Sequence, residues 1–179
     1  MITLLSPDQY RRAPWKNGGG TTTTIAEDDG IWQFGRTPIT QEAPFSDYAG
    51  FDRLQVLVAG RGLVLRTPQG EIDVRIPFKP VRFTGETQIV SRLEAGPVEV
   101  VNLIGRRSDV SIDLVVLSAG ISAPLAIGTH LAYAAAGPAR VDDDDLPADH
   151  CLRIDAQQPT MLACGAGLIV LGSIRCASR

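Results

Sequence analysis

The chain has 179 residues and a mass of 19.1 kDa, for which surface scaling gives about 8,400 Å2 folded against about 27,700 Å2 unfolded, so roughly 70% of the surface can be buried. That supports one well-cored unit, or two small halves sharing a core, and excludes a mini-protein that needs disulfides or metal to fold. Seventeen basic against 20 acidic side chains leave a net charge of -3, which provides no electrostatic footprint for nucleic acid or an anionic membrane.

In chain order, Met1 to Pro7 carry neither a basic region nor an apolar stretch of signal-peptide length, so no export is expected. Ser6-Pro7-Asp8-Gln9 reads as a capping box and predicts one short helical turn that Pro14 ends. Beyond it, 18 glycines and 12 prolines leave only short runs. Residues 21–26, 52–59, 63–66, 71–76, 87–93 and 98–103 are such runs, punctuated by turn residues, which is the signal of an all-β sandwich or barrel. In 52–59, Leu54, Val56 and Val58 alternate with Arg53, Gln55 and Leu57, so one face is wholly apolar and the other carries Arg53. Gly60-Arg61-Gly62 predicts a hairpin turn into Leu63. The longest stretch without glycine or proline, 106–119, is rich in β-branched residues and reads as strand. The apolar segment 161–172 is shorter than the about 20 residues a spanning helix needs and reads as a buried strand. With 129–135, 150–154, 160–163 and 167–174, about a dozen strands are expected. Cys151, Cys164 and Cys176 form no Cys-x-x-Cys pair and point to reduced thiols in a cytoplasm. Residues 1–107 hold 13 basic and 12 acidic side chains against 4 and 8 in 108–179, so polar chemistry is expected in the first part.

Pro14-Trp15-Lys16-Asn17-Gly18-Gly19-Gly20-Thr21 is the most unusual stretch. A phosphate loop needs its glycines before the lysine and a helix after it; here the order is reversed and a threonine-rich strand follows. Two readings stay open: a surface turn, or a binding loop in which Lys16 and Asn17 offer donors and Trp15 a flat wall. Between Pro44 and Arg53, Phe45, Tyr48 and Phe51 mix with Asp47 and Asp52. Such residues either line the mouth of a barrel or brace a loop through an ion pair of Arg53 with Asp47 or Asp52. Asn102 falls on a strand that ends at Arg106-Arg107, one of them structural. The run Asp142 to Asp145 lacks the oxygen pattern of a calcium loop and reads as a solvated turn. His130 and His150 have no second histidine or glutamate nearby, and no nucleophile has a base partner that the sequence identifies.

With these residues in view, the chain resembles the HutD/Ves family, small bacterial proteins associated with histidine-utilisation genes. The matching segments are the Trp15 to Gly20 string, Pro44-Phe45-Ser46 with Gly50-Phe51-Asp52-Arg53, Phe83-Thr84-Gly85-Glu86, and Gly96-Pro97 with Asn102 and Arg106-Arg107. The resemblance is specific over residues 1–120 and thin beyond. It implies a cupin-type double-stranded β-barrel in bicupin form, with residues 1–107 as the half carrying the site and 108–179 completing the second. Where the family has Trp-Arg, this chain has Trp32-Gln33, with an arginine at Arg36. Anchoring the cupin metal motif on Gly60 places Arg53 at the glutamate ligand, residues 46–49 across the histidines and Gln88 at the second motif's histidine. A cation there repels a divalent ion and attracts an anion, so no cofactor is expected.

These readings converge on a metal-free, small-molecule-binding bicupin that regulates or buffers histidine utilisation. The expected ligand is a small carboxylate of the urocanate or formylated/formiminated glutamate class. It would be bound by Lys16, Asn17, Arg53 and Asn102 between Trp15, Phe45 and Tyr48, with Asp52 and Glu86 at the site. Self-association as a homodimer is left open. The alternatives are a cofactor-free isomerase or hydrolase using Asp52 or Glu86 as acid and base, and a protein-interaction module.

Overall fold

A computed structural model describes residues 1–15 and 20–177. Among them it contains eighteen strands and one 3-10 turn. The capping box forms, Ser6 N–H donating to Gln9 Oε1 at 2.8 Å, but starts only the single turn Pro7–Gln9. The first ten strands are β1 (Ile2–Leu5), β2 (Arg11–Pro14), β3 (Thr21–Asp28), β4 (Trp32–Ile39), β5 (Phe51–Ala59), β6 (Leu63–Thr67), β7 (Gly70–Val74), β8 (Val81–Thr84), β9 (Val90–Leu93) and β10 (Val98–Arg106). The rest are β11 (Val110–Ser118), β12 (Ser122–Leu125), β13 (Gly128–Tyr133), β14 (Ala139–Val141), β15 (Asp144–Leu146), β16 (Cys151–Ala156), β17 (Thr160–Ala166) and β18 (Leu168–Cys176). No helix of the described residues is long and apolar enough to cross a membrane.

Two barrel halves result, as a bicupin requires. A six-stranded sheet β2-β3-β4-β10-β5-β8 and a three-stranded sheet β7-β6-β9 build the first; a five-stranded sheet β1-β16-β13-β18-β11 and a four-stranded sheet β12-β17-β14-β15 build the second. Each half has its own apolar filling, around Leu57, Leu65 and Val100 in one and Leu125, Leu162 and Ile169 in the other. A third core joins them, with Phe34, Leu54, Val56 and Leu103 packed against Leu114, Leu131, Tyr133 and Val170. The wholly apolar face of β5 therefore meets the other half, and its Arg53 face turns into its own barrel.

Three sequence expectations change. The division at residue 107 is crossed by β1, which pairs antiparallel with β16, Ile2 opposite Ile154 and Leu5 opposite Cys151. Gly60 and Gly62 have positive φ, yet β5 and β6 lie in different sheets, so the turn is a barrel corner and closes no hairpin. The 161–172 segment is likewise two strands, β17 and β18 in different sheets, meeting at Gly167 with φ 74°. Corners of this kind split apolar runs and raise the strand number above a dozen. The run of aspartates is exposed around the β14–β15 hairpin, and Cys151 and Cys164 are buried free thiols while Cys176 is exposed.

Candidate functional site

Strand alternation decides what enters the first barrel. Gln33, Gly35 and Thr37 from β4, Arg53 and Gln55 from β5, and Asn102 from β10 point inward around a cavity of about 70 Å3. Trp15 and the Phe45, Ser46 and Tyr48 segment cap it.

Arg53 is 8% exposed. Its guanidinium carbon lies 5.1 Å from the Phe45 ring centroid, 5.2 Å from Phe83 and 5.3 Å from Tyr48, a cation against three quadrupoles. Among the described residues, the Nε is buried without a hydrogen-bond partner and the side chain has no ion pair. Neither Asp47 nor Asp52 braces it. Burial pushes its pKa down to about 10, so it remains a cation at neutral pH.

A polar chain runs along the adjacent wall. Trp15 Nε1–H donates to Thr22 Oγ1 at 3.0 Å, Thr22 and Thr37 hydroxyls meet at 3.0 Å, and Asn102 Nδ2 reaches Thr37 Oγ1 at 3.4 Å. Gln55 Nε2 then donates to Asn102 Oδ1 at 2.9 Å, leaving Gln55 Oε1 buried and unpaired. Gly20 is required beside this wall, because a Cβ there would sit 2.9 Å from the Trp15 ring.

Of the nine residues singled out in the sequence, the structure brings Trp15, Phe45, Tyr48, Arg53 and Asn102 to the cavity. Lys16 and Asn17 lie outside the described residues. Asp52 and Glu86 go elsewhere: Arg107 Nε donates to Asp52 Oδ1 at 2.8 Å and Arg107 Nη2 to Glu86 Oε2 at 3.2 Å. Glu86 Oε1 also accepts the Gly50 N–H at 2.7 Å, and the arginine together with this amide holds its pKa at about 2. Beside them, Tyr48 N–H donates to Gly85 O at 3.0 Å and Gly85 N–H to Phe51 O at 2.8 Å. A Cβ at Gly85 would fall 2.0 Å from Tyr48 O. The two carboxylates thus anchor the cap and do not line the cavity. Arg36 does not replace the family's charge at Gln33: it points away, to Glu99 and Asp149.

The cupin fold implies a metal, and the residues present do not fit one. Among the described residues, the cavity wall contains no histidine, cysteine or carboxylate, and the position of the glutamate ligand holds a guanidinium. Gln88 lies on an outer groove. Sequence reasoning missed Gln55, Thr22 and Thr37 as cavity residues. Gln55 carried a signal, since two residues after Arg53 on a strand is the same face; the threonines carried none.

The comparisons agree with this architecture. A protein described as an uncharacterized 21.2 kDa protein in the hutC 3' region of Pseudomonas putida is 33% identical over 109 residues, covering 58% of this chain and 57% of that protein's length. HutD from Pseudomonas fluorescens SBW25, solved in a formate condition, superposes with a TM-score of 0.88 at 26% identity over 99% of this chain and 100% of that one. A conserved protein of unknown function from Pseudomonas aeruginosa PAO1 superposes with a TM-score of 0.82 at 23% identity, covering both chains fully. The sequence profile of the HutD family matches residues 7–171; with nearly the whole length matched, the chain belongs to the HutD family, which is linked to histidine utilisation.

Proposed function

We propose that the first barrel binds a small carboxylate on Arg53, and that the protein acts through this binding to regulate or buffer histidine utilisation. The observation that carries the reading is a buried guanidinium without a counter-ion facing a cavity. A carboxylate about 4 Å away gains roughly 4 kcal/mol at the effective dielectric of such sites, and the rings of Phe45, Phe83 and Tyr48 keep water from competing. That the P. fluorescens HutD was solved in a formate condition is in keeping with a carboxylate site. Urocanate and formylated or formiminated glutamates are the acids that histidine breakdown offers.

Thermal denaturation with these acids tests it. A ligand at 100 times its dissociation constant adds about 2.7 kcal/mol, a rise of roughly 5 to 11 °C for a chain of this size. Arg53→Met is expected to erase that rise. No shift with any of the acids, or an equal shift in the variant, refutes the proposal.

A further inference from the structure

Among the described residues, three buried polar side-chain atoms have no partner: Arg53 Nε, Gln55 Oε1 and Arg92 Nε. Arg92 engages Glu71 at 3.1 Å and Glu94 at 2.7 Å through its other nitrogens. The remaining two stand on one face of β5 and line one cavity. They are of opposite kind: Arg53 offers a donor, Gln55 an acceptor. Native interiors leave few such atoms unpaired, and one that faces a cavity marks where a partner completes the bonding.

The direction of the Gln55 amide follows from its neighbours. Its Nε2 is used by Asn102 Oδ1. The uncompensated charge of Arg53, two residues away, favours the negative end of the amide dipole on the cavity side. With Gln55 1% exposed, bulk water does not satisfy that oxygen.

We infer that the ligand of this cavity is a carboxylate that also carries a neutral N–H or O–H donor, and that Gln55 Oε1 reads the donor. The donor must be neutral because no acidic side chain among the described residues lines the cavity, so an ammonium would meet Arg53 with nothing to offset it. Free amino acids are therefore disfavoured, while acids with a hydroxyl, an amide N–H or a heteroaromatic N–H fit. Positions i and i+2 on a strand are about 6.6 Å apart, so the donor is a group separate from the carboxylate. The inference rests on the carboxylate reading above.

Calorimetric titration of the full chain can separate the two. The probes are ω-hydroxy acids from glycolate to 5-hydroxypentanoate, each against the alkanoate with methyl in place of hydroxyl, propionate to hexanoate. At one chain length or more the hydroxy acid is expected to bind at least about tenfold tighter, since the alkanoate leaves the buried oxygen unpaired. The methyl ether of the tightest hydroxy acid accepts but cannot donate, and is expected to fall back to the alkanoate. Gln55→Leu is expected to remove the preference, hydroxy acid and alkanoate then binding alike at every length. Alkanoates that bind through Arg53 with no hydroxy preference at any length, or a preference that survives Gln55→Leu, overturn the role of Gln55 and leave the carboxylate reading intact. Absence of binding by every acid removes both. The comparison within the parent chain needs no variant, so it decides even if Gln55→Leu fails to fold.

Discussion

In the second barrel, His130 on β13 stands directly opposite Ser173 on β18, with Nδ1 2.8 Å from Ser173 Oγ and Nε2 2.9 Å from Ala126 O. A carbonyl only accepts, so Nε2–H donates to Ala126 O, while Nδ1 and the Ser173 hydroxyl pair with each other. Every polar atom of that imidazole, 2% exposed, is satisfied inside the protein. In the first barrel, the chain from Trp15 through Thr22, Thr37 and Asn102 ends on an unpaired Gln55 oxygen beside an unpaired Arg53. Two halves of similar architecture thus treat buried polarity oppositely. A closed network holds a structure together; one with open ends keeps bonding capacity that another molecule can complete. The pairing of Ser173 with a base, which the sequence did not suggest, therefore reads as a strut across β13 and β18.

Variants can break this contrast. His130→Ala leaves a void and two unpaired groups, which together cost about 3 kcal/mol and lower the melting temperature by roughly 6 to 12 °C. Carboxylate affinity is expected to be unchanged; an unaltered melting temperature with lost affinity would move the binding role to the second barrel. Arg36→Met comes next. Arg36 bonds Glu99, Asp149 at 2.6 Å and Ala135 O at 3.2 Å, while the Tyr133 hydroxyl donates to Asp149 at 2.7 Å. This cluster ties the two halves. With the side chain 21% exposed, screening reduces the loss to about 2 kcal/mol, read by chemical denaturation. Arg53→Met is expected to change unliganded stability by less than about 1 kcal/mol, because no partner is orphaned and Met still packs on the rings. A fall comparable to that of Arg36→Met would show that Arg53 is structural.

How much of this is legible in the sequence depends on the range over which each signal acts. The alternation in β5 is local, and it separated Leu54, Val56 and Val58 from Arg53 and Gln55. The same parity places Asp52 on the face away from Arg53, so its departure from the cavity was readable in principle, as was the inclusion of Gln55. Which core the apolar face meets was not readable, because that depends on packing one barrel against another. The joining of β1 to β16 brings together Ile2 and Ile154, from opposite ends of the sequence. His130 and Ser173 are 43 residues apart and meet only through strand register. Glu86 followed Gly85 in a family motif, but only the fold shows that it holds the cap through Arg107 and Gly50. Motifs revealed that these residues matter; the direction in which each points came from the sheet.

The smallest expected effect concerns that cap. Glu86 has a folded pKa of about 2 against an ordinary 4.5, held down by Arg107 and the Gly50 amide. Because the folded value is the lower, its contribution is complete above about pH 4.5 and is lost as pH falls toward 2. The group is exposed and salt-screened, so the loss registers locally. Acidification through this window is expected to lower the protection factor of the Gly50 amide, its exchange taken relative to the intrinsic rate at each pH, while the amides of β5 and β10 stay protected. Since the cap carries Phe45 and Tyr48, its loosening is also expected to uncover Arg53. Glu86→Gln keeps an oxygen for the Gly50 N–H but forfeits the ion pair, so protection there should be lower at neutral pH and flat between pH 4.5 and 2. If the variant still responds to pH as the parent does, Glu86 is not the group that secures the cap.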